Sequence, residues 1–246
     1  MMIPAIVDTE TIGILSTLGV DLHIHVLPGI DDGAQTLEDS LALVDAHYRS
    51  GIRRIIATPH IRVDFFKNTE ASIHNAWLQL TAITKEQYPD LQIDYAAEYF
   101  VDDYFLTLVE RREILPLSGN YVLVETSLRH DQAYFRNILQ EMILQGYQPV
   151  VAHPERYQAW LLKPERYAEI YELGVVFQIN LLSLGGAYGP TEQITAERLI
   201  QQGWVGALGS DLHRVSQYKY IKDAVENPYF KSLRETKLLN HTFQSD

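Results

Sequence analysis

A helix-spaced run, a glycine and a short apolar strand recur along the chain, and this repeated join restricts the fold more than any other feature. Apolar residues take helical spacing over Leu37–Ser50, Glu70–Gln87, Gln132–Gln145, Pro164–Leu173 and Thr191–Gln202. Thr36 and Thr191 stand where N-caps are expected, and Gly51, Gly146, Gly174 and Gly203 stand where helices should stop. Strand-like runs fill the intervals: Val20–His25, Arg53–Thr58, Gln92–Ala97, Tyr121–Glu125, Gln148–Ala152, Val175–Ile179 and Val205–Gly209. Alternation of this kind predicts an α/β fold with a parallel sheet. Seven βα units within 246 residues most simply close into one barrel domain. The first twenty residues carry Asp8 and Glu10 and lack a basic start, so they read as an N-terminal extension, a packed helix, ahead of a domain over 21–246.

Polar residues cluster where these strands end. DLHIHVLPGIDDG spaces Asp21, His23 and His25 at period two, so a regular strand would turn them to one face and Val20, Leu22, Ile24 and Val26 to the other. Alone, His-x-His also fits a strand whose polar face meets water. The rest of the chain argues otherwise. His60 follows the second strand, Glu98 the third, Glu125 ends the fourth, His153 and Arg156 follow the fifth, and Asp211 and His213 follow the seventh. With His23, His25 and Asp32 they form a set of nine His, Asp and Glu candidates plus one arginine, all at the carboxyl ends where parallel barrels carry their sites. An acidic group closing an apolar strand, as at Glu98 and Glu125, is costly to bury unless something binds it. Asp21 suits a carboxylate that orients a ligating imidazole, whereas Asp31 fits a turn former. His47 and His74 fall on helices as packing or surface residues, His130 falls in a solvated loop, and His241 has no role.

Imidazole and carboxylate without sulfur suit Mn, Fe or Zn, and nine ligands exceed what one ion takes. Four carboxylates against three divalent ions leave a charge of about +2, inside a chain of formal net charge -12. A phosphate ester is the natural guest, attacked by metal-bound hydroxide while Arg156 clamps its oxygens. The absence of cysteine excludes a thiophosphate intermediate and agrees with a reducing, cytoplasmic setting. The acidic balance speaks against nucleic acid as a partner, and no apolar run approaches a membrane span.

Ordered along the chain, DLHIHVLPGIDDGA, GIRRIIATPH, AEYF, VLVE, PVVAHPERY, QINLLSLGGAYG and GSDLH resemble the polymerase-and-histidinol-phosphatase (PHP) superfamily. Within it the chain resembles the tyrosine-protein phosphatases of bacterial capsule and exopolysaccharide operons, the CpsB/YwqE type. PGIDDGA, AHPERY and SLGGAYG carry that narrower likeness, which runs from Asp21 to about Tyr218. The resemblance implies a distorted (β/α)7 TIM-like barrel, the PHP fold. It implies three divalent transition-metal ions, manganese first, with iron or zinc as alternatives. Their ligands would be His23, His25, Asp32, His60, Glu98, Glu125, His153, Asp211 and His213, with Glu98 bridging two ions. Asp32, His60 and Arg156 would also serve catalysis. The implied substrate is phosphotyrosine on a partner bacterial tyrosine kinase. One departure is that the segment after His213, RVSQYKYIKDA, supplies no aligned second arginine, since Arg214 is adjacent and Lys219 is further on.

Phenolate, with a pKa near ~10, leaves without a dedicated general acid. Phe65, Phe66, Tyr99, Phe100, Tyr157 and Trp160 follow strand ends and are expected to surround the mouth, where an aryl phosphate lays its ring. Two other readings remain open at this level: a small-molecule phosphoesterase of the histidinol-phosphatase kind, and a non-catalytic kinase-docking regulator. Lost ligands would mark the second, and none of the nine is missing.

Overall fold

The computed structural model describes residues 15–233 and 236–244. Nine strands appear: β1 Val20–Ile24, β2 Arg54–Ala57, β3 His60–Ile61, β4 Gln92–Tyr95, β5 Glu98–Phe100, β6 Tyr121–Glu125, β7 Gln148–Ala152, β8 Val176–Asn180 and β9 Val205–Gly209. Every pairing between them is parallel, in the orders β1-β2-β4 and β3-β5-β6-β7-β8-β9. The two sheets are one barrel with two broken staves. Pro59, which has no N–H to donate, interrupts the stave that continues from β2 into β3. The Ala96 N–H donates to Ala57 O (2.8 Å) and the Glu98 N–H to Pro59 O (3.1 Å), so pairing resumes beyond the break. Seven staves therefore stand, as the alternation predicts, but His60 and Glu98 lie within short strands rather than beyond strand ends.

Closure comes between β9 and β1. The Asp211 N–H donates to His23 O (2.7 Å) and the His25 N–H to Leu212 O (3.1 Å). Lower on this seam, buried Asn240 accepts from Leu208 N–H (3.0 Å) and donates to Val20 O (2.9 Å) and Leu208 O (2.8 Å). Removing that amide strands buried backbone groups on both strands. Asn240→Ala is therefore expected to cost about 2–3 kcal/mol; urea denaturation measures it, and an unchanged midpoint would mean that strand pairing alone holds the seam.

The helices cover the barrel. Leu37–Arg49 starts from a capping box between Thr36 and Asp39, and Glu70–Gln87 from one between Thr69 and Ser72. The expected stops at Gly51, Gly146, Gly174 and Gly203 all adopt positive φ. Thr191 is not a cap, because the helix Pro190–Gln201 begins one residue earlier with Gly189 as its N-cap. A further helix, not among those expected, is Asp103–Arg111, where Asp102 accepts from Phe105 N–H (2.8 Å) as N-cap and Phe105, Leu108 and Val109 bury one face. Of the expected N-terminal extension, residues 1–14 lie outside the described residues, while Leu15 and Leu18 are buried in the core.

Two apolar layers result. Val20, Leu22, Ile56, Ala96, Leu123, Val150, Ala152 and Ala207 fill the lower barrel, with Leu117 and Phe243 against them. Ile24, Val26, Ile55, Ala57, Val122, Val124, Val151 and Phe177 pack outward beneath the helices. The expected alternation of β1 fails here. Its pairing with β2 shifts register between Asp21 and Ile24, and the faces change at that point. Leu22 joins the inner cluster, His23 next to it also turns inward to Gln178, and Asp21 faces the outer helix.

Candidate metal centre

His23 and His25, two residues apart, both face inward at the upper end of the barrel, beyond the register shift that turns Asp21 away. Both are fully buried, and their Nε2 atoms lie 3.2 Å apart. Around them stand Glu98 Oε2, 3.3 Å from His23 and 3.4 Å from His25, and Asp211 Oδ1, 3.5 and 3.4 Å away. His60 Nδ1 lies 3.0 Å from Glu98 Oε2 and 3.3 Å from Glu125 Oε1. The His153 Nε2–H donates to Glu98 Oε1 at 2.9 Å. At the outer edge, Asp32 Oδ1 lies 3.5 Å from His60 Nε2 and 3.4 Å from His213 Nε2.

All nine expected residues thus converge. They form four overlapping groups with donor atoms within 4.8 Å: His25, Asp32, His60 and His213; His23, Glu98 and His153; His23, His25 and Asp211; His60, Glu98 and Glu125. The spacing is informative. Two ligands on one ion with bonds near 2.1 Å sit about 3.0 Å apart in octahedral and about 3.4 Å apart in tetrahedral geometry. Glu98 Oε2 and His60 Nδ1 are buried without a hydrogen-bond partner, although three imidazole nitrogens approach the carboxylate oxygen within 3.4 Å. A native protein rarely leaves such atoms unsatisfied, so the donor set fits bound cations.

Electrostatics agree. Burial disfavours charge on Glu98, but His23 and His60, with the hydrogen bond from His153, outweigh it and hold the carboxyl well below its ordinary range. Asp211 is likewise held well down against burial by His23, His25 and Arg156. The hydrogen bond with His213 pushes Asp32 down to about 2. Glu98 and Asp211 thus stay ionised although buried, with the exposed Asp32 carboxylate at their edge, which is the electrostatic character that binds cations.

Several supporting residues differ from expectation. Asp21 does not orient an imidazole of the cluster: its Oδ2 lies 2.7 Å from buried His47 Nε2, and its Oδ1 accepts from the N–H groups of His23 (3.1 Å) and Ser210 (2.9 Å). That task falls to Asp31, whose Oδ2 takes His25 Nδ1–H at 2.8 Å while Oδ1 accepts from Gly33 N–H. Gly33 is required here because a Cβ would collide with His25. The strand without an expected ligand, β8, proves important. Gln178 Oε1 accepts from His23 Nδ1–H (2.7 Å), leaving Nε2 for the cluster, and Gln178 Nε2 donates to Asn180 Oδ1 (2.9 Å). Asn180 Nδ2 in turn donates to Asp211 Oδ2 (2.6 Å). The signal was two amides, in VVFQIN, spaced at period two in an apolar strand. His153 and Asp211 both take left-handed φ (35° and 56°), local strain that the surrounding contacts must hold.

Above the cluster lies a pocket of about 350 Å³, lined by His60, Glu125, His153, Arg156, Asp211 and His213 at its base and by Arg62, Phe66, Phe100 and residues 126–130 around them. Arg156 donates to Asp211 Oδ2 (2.7 Å) and lies 4.1 Å over the Tyr188 ring. Tyr188 comes from the SLGGAYG string and was not singled out as a site residue. His130, exposed in the loop after β6 as expected, also lines this pocket. Of six aromatics expected at the mouth, Phe66 and Phe100 line it, and Phe65 is 67% exposed against Arg62. Tyr99, Tyr157 and Trp160 are core residues instead, since their rings pack beneath the loops; the Tyr157 hydroxyl donates to Ala152 O (2.8 Å).

A closed parallel barrel with buried imidazoles and carboxylates at its carboxyl end defines a class, the α/β-barrel proteins built to hold metal ions. Within that class the chain belongs to the family described as capsular polysaccharide synthesis, CpsB/CapC, whose model matches residues 19–231. The match reaches beyond Tyr218, further than the motifs alone suggest. The chain is 33% identical over 198 residues to the tyrosine-protein phosphatase YwqE of Bacillus subtilis, covering 80% of this chain and 78% of that one. It is 31% identical over 214 residues to the tyrosine-protein phosphatase CpsB of Streptococcus pneumoniae, covering 84% and 88%. A crystal structure from work on those two proteins, described as unique metal-dependent tyrosine phosphatases, superposes with TM-score 0.79 at 28% identity, over 92% of this chain and 91% of that one. Histidinol phosphate phosphatase from Lactococcus lactis, 16% identical with TM-score 0.53 over 84% and 93% of the chains, shares the fold. The named relatives in this family are phosphoric monoester hydrolases.

Proposed function

We propose that this chain is a metal-dependent protein-tyrosine phosphatase acting on a tyrosine kinase that serves capsule or exopolysaccharide synthesis. The observation that carries the reading is the convergence of imidazole nitrogens on the unpartnered, buried Glu98 oxygen, beneath a pocket that His60, His153 and His213 line. The nine residues His23, His25, Asp32, His60, Glu98, Glu125, His153, Asp211 and His213 hold the ions, three in number and manganese by preference. Divalent ions there supply charge neutralisation at the phosphate and an activated water for in-line attack. Glu98, facing His23, His25 and His60 at once, links neighbouring sites. Arg156 binds a phosphate oxygen on the pocket side while keeping its contact to Asp211. Phe66, stacked on His60 with ring centroids 5.3 Å apart, and Phe100 flank the substrate ring. A water oxygen bonds to phosphorus as the P–O bond to the phenolic oxygen breaks, and with no cysteine in the sequence no thiophosphate intermediate can form.

The family description and the relatives' names support the substrate class and the pathway. We take residues 21–246 as a single domain preceded by a short extension. No helix among the described residues is long and apolar enough to cross a membrane, and the cysteine-free composition supports a cytoplasmic site of action. Purified protein should contain more than one transition-metal ion per chain and release phosphate from phosphotyrosine peptides. Faster turnover of histidinol phosphate would reassign the substrate, and tight kinase binding without turnover would favour the docking regulator.

A further inference from the structure

Apart from the proposed metal ligands, no carboxylate among the described residues lines the pocket: the three acidic lining residues, Asp32, Glu125 and Asp211, all belong to that set. The remaining charged lining residues are Arg62, Arg129 and Arg156, in a chain of net charge -12. Arg156 is already engaged with Asp211. Neither Arg62 nor Arg129 makes an ion pair within the described residues, so two cations at an acidic protein's pocket stand without a carboxylate partner there.

Arg62 is the better held of the two. Its guanidinium lies between two rings, 4.3 Å from the centroid of Phe65 and 4.0 Å from that of Phe100. The backbone around it folds into a tight turn. Arg62 N–H donates to Phe66 O (2.9 Å), while Arg62 O accepts from Phe65 N–H (3.1 Å) and Phe66 N–H (2.7 Å). Asn68 anchors the turn by donating to Ile30 O (2.8 Å) and His60 O (2.9 Å). Stacking of this kind holds the guanidinium plane and leaves its N–H edge available to an anion. Because Phe65 is largely exposed, this edge belongs to the rim of the pocket and not to its base. Arg129 reaches the same pocket from the separate loop after β6, where Ser127 Oγ accepts its N–H at 3.4 Å.

We infer that Arg62, assisted by Arg129, selects substrates carrying acidic residues beside the phosphotyrosine. This rests on the phosphatase reading above and specifies its substrate class. The phosphate occupies the base with Arg156, the ring lies along Phe66 and Phe100, and a flanking carboxylate pairs with Arg62 at the rim. Lysine in that place would lose the stacking and the bidentate geometry.

The test uses the metal-loaded full chain and two phosphotyrosine peptides that differ only in flanking Glu or Gln residues. Wild type is expected to favour the Glu peptide by about 10-fold in kcat/KM, mostly through KM, and the preference should shrink with added salt. Arg62→Ala should lower that ratio by about 5-fold and Arg62→Lys by less; Arg62→Glu should reverse it toward a Lys-flanked peptide. Metal content and circular dichroism of each variant check folding, and Arg129→Ala provides a second site should a variant at Arg62 not fold. An undiminished ratio in Arg62→Ala, or an equal loss on both peptides, overturns the proposal. Turnover by wild type without preference overturns this proposal alone, whereas failure to turn over either peptide overturns the phosphatase reading with it.

Discussion

Glu98→Ala is expected to lower activity by ~10³-fold or more and to reduce metal content in the same preparation, well beyond the 10–100-fold typical of residues that merely orient ligands. The reason is topological. Glu98 belongs to two of the four donor groups, and its two oxygens face His23, His25, His60 and His153. Its loss removes the carboxylate that two of the donor groups share, a shared ligand on the proposed reading, and leaves those imidazoles around a void in a buried site. Chelation of the wild-type protein should reproduce the activity loss, and re-addition of metal should restore wild type but not the variant. Full turnover by metal-free protein would refute the metal-dependent mechanism. Asp31→Asn makes a useful contrast, since Asp31 lies outside the proposed ligand set and acts only by holding His25 Nδ1–H and the His60 and Gly33 backbone N–H groups.

Arg156→Ala should behave differently: metal content stays near that of wild type while the rate falls by ~10²-fold or more. Asp211 does not depend on the guanidinium alone, because Asn180 Nδ2 and Tyr188 Oη–H also donate to its Oδ2, at 2.6 and 3.2 Å. Removing Arg156 therefore takes a positive charge from the pocket without freeing the ligand. Arg156→Lys should recover only part of the rate, since an ammonium supplies neither the fork geometry nor the same packing over Tyr188. Metal analysis beside steady-state kinetics decides the matter. Should Arg156→Ala lose its metal, the arginine acts by holding Asp211 and not by binding phosphate.

The distribution of polar residues was readable because it depends on local regularities. Helix spacing, terminal glycines and β-branched runs set the order of the βα units, and a parallel barrel then puts every strand's carboxyl end on one face. That is why nine residues scattered from His23 to His213 could be assigned to one site. The helix Asp103–Arg111 was missed although its apolar spacing is present, for it is short and ends in a left-handed Arg112 instead of a glycine.

Tertiary structure decided what depends on which way a side chain faces. The register shift in β1 turns Leu22 and His23 both inward and sends Asp21 to His47, so strict alternation assigned the orienting carboxylate to the wrong aspartate. The break at Pro59 moves His60 into a strand of its own, beside Glu98. Gln178 and Asn180 acquire their roles only because β8 lies next to β9, and Arg62 because its turn closes against Phe100. Composition and period determine which residues reach the end of the barrel. Strand register and the close approach of loops distant in sequence determine which atoms meet there, because both depend on neighbours that no local pattern specifies.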